Sequence, residues 1–201
     1  MIAIIDYGMG NLRSVQKAFE KINTPAFVTN KPEEVLAADK IVLPGVGAFE
    51  ACMQNLKQLQ LTEPIREVIR RGKPFLGICM GLQVLLDESE EFGHHQGLGI
   101  IPGKVVRLKL PKKYKIPHMG WNRLRKSRRH IVLNEIEDNA YFYFVHSYHV
   151  VPKDKDVIVT VTDYGKDFVS AIAKGNIFAC QFHPEKSQTL GLKLLKNFSN
   201  L

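Results

Sequence analysis

PFLGICMGLQVLLDE, residues 74–88, runs from an apolar stretch into a helical pattern with a cysteine at the junction. PFLGI (74–78) predicts a buried strand, and Met80 to Glu88 predicts a helix. Between them Gly77, Cys79 and Gly81 spell G-x-C-x-G, the cysteine form of a nucleophile elbow. A side chain at the tip of so tight a turn sits in a strained backbone conformation, and the glycines let neighbouring backbone pass without Cβ clashes. The N-terminus of the expected helix would favour a thiolate, and the Met80 N–H would face charge developing on an attacked carbonyl. The same pattern suits a buried core thiol, so the elbow alone leaves both readings open.

Outward from the elbow, IAIID (2–6), AFVT (26–29) and KIVLP (40–44) predict further buried strands. Leu12, Val15, Ala18, Phe19 and Ile22 recur at helical spacing and predict a helix near 11–22. Pro32 suits the first turn of a short helix, and a helical stretch over 48–70 is interrupted near Thr62. This β-α-β-α order predicts an α/β fold in three layers, a largely parallel central sheet flanked by helices. After Gly103, KVVRLKL, YFYFVHSYHVV, VIVTVT and FVSAIAKGNIFACQFHPE are rich in strand formers, with turn signals at DYGKD and KGN. They predict antiparallel strands added to the sheet or stacked on its edge. A last helix is expected near 188–199. With 201 residues, no internal repeat and no Ser/Gly-rich linker, residues 1–201 are expected to form one domain.

Composition narrows the class. With 45% hydrophobic and 24% charged residues the chain reads as globular, and neither a fibre nor a disordered segment is expected. MIAIIDYGMGN lacks the basic lead and long apolar run of a signal peptide, and no stretch approaches the ~20 apolar residues of a membrane span. A cytoplasmic protein is the expectation. Cys52, Cys79 and Cys180 are three unpaired cysteines without CxxC spacing, which argues against a disulfide framework and a zinc site. His94 and His95 read as a surface loop, so neither a metal nor a cofactor is expected. The formal charge of +8 gathers in KLPKKYK (109–115) and RLRKSRR (123–129). These runs read as a solvated face, or as a surface for an anionic substrate or acidic protein; without interleaved aromatics they make a poor nucleic-acid platform.

QFHPE, residues 181–185, supplies a base. On extended backbone His183 and Glu185 would lie on one face, with Glu185 orienting the imidazole. PGVG (44–47) follows the third strand, and its Val46 or Gly47 N–H could serve as a second oxyanion donor beside Met80. It reads equally as an ordinary β-α turn.

PGVG, GICMGLQVL, HSYH and QFHPEKS, in this order and spacing, resemble the class I, triad-type glutamine amidotransferase family over nearly the whole chain. The resemblance implies that Cys79, His183 and Glu185 release ammonia from glutamine through a thioester on Cys79. It implies an oxyanion hole at Met80 with Val46 or Gly47, whose peptide has to turn before it donates. It also implies glutamine contacts at Gly45, Gln83, Glu91, Ser147 and Tyr148. DYGMGNLRSV (6–15), LPGVGAFEACM (43–53), PHMGWN (117–122) and YFYFVHSY (141–148) resemble the member that serves a separate cyclase subunit, a (β/α)8 barrel, in a heterodimer of amino-acid biosynthesis. For that interface the resemblance nominates Met9, Asn11, Arg13, His118, Met119, Trp121, Asn122 and Lys186, with Trp121 readable as an exposed anchor or as core. No nucleic acid or membrane partner is implied. A glutaminase of another pathway, or a non-catalytic subunit of the same fold, fits these segments less well.

Overall fold

The computed structural model describes residues 1–201. The first half alternates β1 (Ile2–Ile5), α1 (Leu12–Lys21), β2 (Ala26–Thr29), α2 (Pro32–Ala37), β3 (Lys40–Gly45), α3 (Phe49–Gln58), α4 (Thr62–Arg70) and β4 (Phe75–Cys79). Local chemistry sets these boundaries. The Asn11 side chain accepts the Ser14 N–H and caps α1, while Pro32 opens α2 where a missing N–H costs nothing. The break between α3 and α4 falls at residues 59–61, where Gln60 turns to φ 55°.

The second half holds α5 (Met80–Gln83), β5 (Leu86–Ser89), β6 (His95–Gln96), β7 (Ile101–Arg107), β8 (His118–Lys126), β9 (Ala140–His146), β10 (Tyr148–Pro152), β11 (Ile158–Asp163), β12 (Asp167–Lys174), β13 (Ile177–Cys180) and α6 (Gln188–Ser199). A nine-stranded sheet runs in the order β2-β1-β3-β4-β13-β12-β11-β8-β9. It is parallel from β2 to β13 and antiparallel from β13 to β9. A second sheet has the order β10-β7-β5-β6.

Alternation along β1 explains the layers. Ile2 and Ile4 face one apolar core with Val15, Phe19, Leu194 and Phe198 of α1 and α6. Ala3 and Ile5 face the other, with Val35, Phe49, Leu56, Ile65 and Val68 of α2, α3 and α4. Leu86, Val105 and Val150 of the second sheet join this latter core, so that sheet shares a layer with α2–α4.

Two expectations need correction. The helix over Met80–Glu88 is a single turn, and the chain enters β5 instead. The cause is a distant competitor: N–H groups of Leu98, Ile101 and Gly99 take the carbonyls of Val84, Leu85 and Leu86, which a longer helix would have used internally. The strand-forming stretch YFYFVHSYHVV breaks at Ser147 and supplies β9 to one sheet and β10 to the other. His95 departs from the surface-loop reading too, since it lies in β6 with its side chain mostly buried. No helix is long and apolar enough to cross a membrane.

The antiparallel end of the fold buries histidines in neutral form. Burial lowers His118 to about 4 and His146 to about 3, the latter aided by the charges of His118, His149 and His183; burial also lowers His130 and His149. Between the ordinary value of 6.5 and these depressed values, only the unfolded chain binds protons, so stability falls as pH falls through this window. His118 and His146 each steepen the loss by up to about 1.4 kcal/mol per pH unit, and His130 and His149 act in the same direction. Urea unfolding should therefore show the decline beginning near pH 6.5, before the carboxylates titrate. A flat stability from pH 7 to 5 would contradict it.

Candidate active site

Cys79 ends β4 with φ 55° and ψ −106°, a left-handed backbone that a non-glycine residue adopts at a cost of about 1–3 kcal/mol. Close packing holds it there. A Cβ on Gly77 would come within 2.6 Å of the Gly81 carbonyl oxygen, and one on Gly81 would overlap the Leu43 carbonyl. β4 lies between β3 and β13, with Gly45 opposite Cys79 and Cys180 opposite Ile78, so the sulfur sits at the carboxyl ends of parallel strands where α/β sheets bind ligands. Because α5 is only four residues long, the electrostatic help comes from its free N–H groups and not from a long helix dipole.

His183 and Glu185 follow β13, but not as extended backbone. Pro184–Lys186 forms one turn of 3-10 helix, and that turn brings Glu185 Oε1 to 2.8 Å from His183 Nδ1. The turn docks on β9: His183 N–H donates to Tyr143 O at 2.9 Å, and Tyr143 N–H donates to Ser187 Oγ at 3.0 Å. With Nδ1–H committed to Glu185, Nε2 is the free nitrogen; it is buried and has no hydrogen-bond partner. Burial works to lower the His183 pKa, yet negative sulfur at Cys79 and the Glu185 carboxylate outweigh it and hold it up at about 10. An imidazole held protonated beside the Cys79 sulfur is the base that a cysteine nucleophile requires.

A cavity of about 350 Å³ opens over Cys79 and His183. Val46, Gly47 and Met80 line it, and so do Gln83, Glu91, Ser147 and Tyr148. Gln83 donates from Nε2 to Tyr148 O at 3.1 Å and to Gln181 Oε1 at 3.0 Å, which leaves its own buried Oε1 unpaired. Glu91 accepts the Phe49 N–H at 2.6 Å; burial raises its carboxyl pKa against that bond and His95. Gly45 is the exception. It lies outside the lining, and a Cβ there would overlap Tyr7 Oη and press on Met80 at 2.7 Å, so its role is close packing behind the wall.

Residues 3–200 match the family model for glutamine amidotransferase class-I. The chain belongs to this family. Among curated relatives, imidazole glycerol phosphate synthase subunit HisH of Geobacter sulfurreducens is 57% identical, covering 100% of this chain and 98% of its own. The protein of that name from Aquifex aeolicus is 54% identical over 97% of this chain and 94% of its own. Among solved structures, a glutamine amidotransferase superposes with a TM-score of 0.73 at 16% identity, covering both chains fully. PurLQS from Thermotoga maritima superposes at 0.71 and 20% identity, over 99% of this chain and 97% of that one.

For this glutamine amidotransferase the nominated interface residues divide. Met119 and Trp121 are 62% and 46% exposed on β8, and Met119 pairs across the ladder with Val145, which lines the cavity. Trp121 is therefore not core. Lys186 is exposed with Nζ 5.8 Å over the Tyr143 ring, which Trp121 meets edge-on at 6.1 Å. Asn11 and Arg13 are exposed, while Met9 is half-buried against Cys52 beside the PGVG turn. His118 contradicts its assignment: at 1% exposure it stacks on Phe144 and Tyr164 because its place in β8 points inward, and Asn122 is half-buried above it.

Cys52 and Cys180 are buried as expected, with burial pushing the Cys52 thiol up to about 11 and Cys180 well above its ordinary value. In the second basic run, Arg125 pairs with Asp167 and the Arg128 guanidinium donates to Ala173 O, so local structure consumes part of its charge. Sequence reasoning missed Gln181, whose Nε2 donates to Cys79 Sγ at 3.5 Å. The only signal was its place two residues before His183.

Proposed function

We propose that residues 1–201 work as one glutaminase domain, the glutaminase subunit of imidazole glycerol phosphate synthase in histidine biosynthesis. The carrying observation is the convergence of Cys79 and His183 on one cavity whose wall also holds Gln83, Glu91, Ser147 and Tyr148. Cys79 Sγ attacks the side-chain carbonyl carbon of glutamine, and charge develops on the oxygen. Met80 N–H and the Val46 or Gly47 N–H receive that charge. His183 Nε2 gives a proton to the departing nitrogen, releasing ammonia and leaving a thioester. It then takes a proton from the water that attacks the thioester, and glutamate leaves. Glu185 keeps Nδ1 protonated and the ring oriented through both steps. Hydrolysis through a thioester divides one difficult amide cleavage into two easier acyl transfers.

Ammonia escaping to solvent would be protonated and lost as a nucleophile, which favours a partner seated over the cavity mouth. The partner in this reading is the cyclase subunit, a (β/α)8 barrel forming a heterodimer with the chain and using the ammonia to make imidazole glycerol phosphate and AICAR. Met119, Trp121 and Lys186 supply the docking face in this reading, together with Met9, Asn11 and Arg13. No metal or cofactor takes part in the steps above.

Ammonia release from glutamine should be slow for the chain alone and rise strongly with the cyclase and its nucleotide ligand. No release in the assembled complex would defeat the reading. Trp121→Ala should weaken cyclase binding by about thirtyfold, as truncation of a central aromatic anchor does. An unchanged titration curve would remove Trp121 from the interface.

A further inference from the structure

His118 and His146 are buried side by side, at 1% and 6% exposure, and neither belongs to the Cys79–His183–Glu185 set. Their protons can be located from the partners of each nitrogen. Asn122 comes first: its Oδ1 accepts the Arg123 N–H at 2.8 Å and its Nδ2 donates to Asp163 O at 2.9 Å, which fixes the amide orientation. The same Nδ2 faces His118 Nε2 at 3.3 Å, so that nitrogen is an acceptor and the proton of His118 is on Nδ1. His118 Nδ1–H then donates to His146 Nε2 at 3.0 Å, which puts the proton of His146 on Nδ1 as well. His146 Nδ1–H donates to Tyr148 O at 2.9 Å. Moving the His146 proton to Nε2 would set its Nδ1 lone pair against that carbonyl and leave two N–H groups facing each other. Two neutral rings with Nδ1–H are the one arrangement that satisfies every contact.

The direction of bonding continues to the nucleophile. Tyr148 O also accepts Gln83 Nε2–H, Gln83 donates again to Gln181 Oε1, and Gln181 Nε2–H donates to Cys79 Sγ. Each amide is thereby oriented by its neighbour. Gln83 Oε1 is left as an acceptor, buried and unpaired, suited to an amine or amide N–H of the substrate. Ser147 O is held separately by Leu108 N–H at 2.9 Å, so both carbonyls of the Ser147–Tyr148 segment are committed to the protein.

We propose that His118 and His146 are positioning residues for glutamine binding, a proton-ordered pair that holds the Tyr148 carbonyl and, through it, the amide of Gln83. This rests on the glutaminase reading given above. Without the His118 donor, His146 Nε2 becomes a buried acceptor with no partner. The pressure to flip that ring loosens Tyr148 O and lets the Gln83 amide turn.

Two measurements on the complete chain test it. In the protein labelled with nitrogen-15 histidine, the side-chain shifts at pH 7.5 should show both rings neutral with Nδ1–H. An Nε2–H or a charged ring at either position overturns the pair. In the assembled complex, His118→Phe keeps the stacked ring but removes the donor, and His118→Asn keeps a donor at the Nδ1 position. The phenylalanine variant should raise the glutamine KM about tenfold with kcat within about threefold, and the asparagine variant should recover most of that KM. An unchanged KM in His118→Phe, or a fall in kcat alone, overturns the proposal. Should His118→Phe fail to fold, the wild-type shifts and the KM of His118→Asn still decide it. A wild-type complex that releases no ammonia would instead sink the glutaminase reading and leave the proton map untouched.

Discussion

Cys79→Ala should abolish ammonia release from glutamine, a loss of about ten-thousandfold or more in kcat, while the chain still folds and binds its partner. The size follows from the chemistry. Without sulfur no thioester forms, and neither the oxyanion N–H groups nor His183 can replace a covalent intermediate. The folded state is little affected, since alanine fills most of the space and relieves a side chain held at positive φ only in part. A second readout separates chemistry from structure. Cys79 is the largest of the influences raising His183, so removing its negative charge leaves burial, which lowers the pKa, opposed by Glu185 alone. The His183 pKa should fall from about 10 toward its ordinary range, as followed by the ring proton shift in a pH titration. Persistent ammonia release in Cys79→Ala would end the mechanism, and an unmoved His183 would deny that Cys79 holds its pKa up.

Gly81→Ala is the second large effect, and it acts through backbone. A Cβ at this position would occupy the space of the Leu43 carbonyl oxygen in β3, which cannot swing aside as a side chain could. Either α5 lifts from the sheet or β3 shifts against β4. The cost is about 3 kcal/mol or more, a large share of the 5–15 kcal/mol that typically holds a domain folded. Activity should fall further than stability, because the same movement carries Met80 N–H and Cys79 out of line with His183. Thermal unfolding and ammonia release measured on one preparation would check both. A variant with wild-type melting temperature and activity would show that the elbow is not packed as described.

The fold was legible wherever local pattern and tertiary structure agreed. β1, β2, β3, β4 and α6 lie within a residue or two of the stretches read from apolar runs and helical spacing, because those runs are buried on the faces that their periodicity marks. The reading failed at Leu86. Val84, Leu85 and Leu86 continue a helical pattern, yet residues 98–101 bind their carbonyls and draw the chain into β5. Nothing local to Met80–Glu88 announces a competitor more than ten residues away. The Ser147 break has the same character, since YFYFVHSYHVV is uniformly strand-forming and only the presence of a second sheet divides it.

At the site, residue identity was legible and geometry was not. G-x-C-x-G and His-Pro-Glu single out Cys79, His183 and Glu185, because the strain of the elbow and the pairing of base with carboxylate demand those residue types at that spacing. The sequence by itself thus determined the strand–helix alternation and nominated the nucleophile and its base, all written in neighbours along the chain. Tertiary structure decided that His183 and Glu185 meet through a 3-10 turn docked on β9, that Trp121 faces outward while His118 faces in, and that Gln181 reaches the sulfur. The physical reason is that hydrogen-bond partners and burial depend on strands brought together from far along the chain, and a local pattern of residue types carries no record of who those partners are.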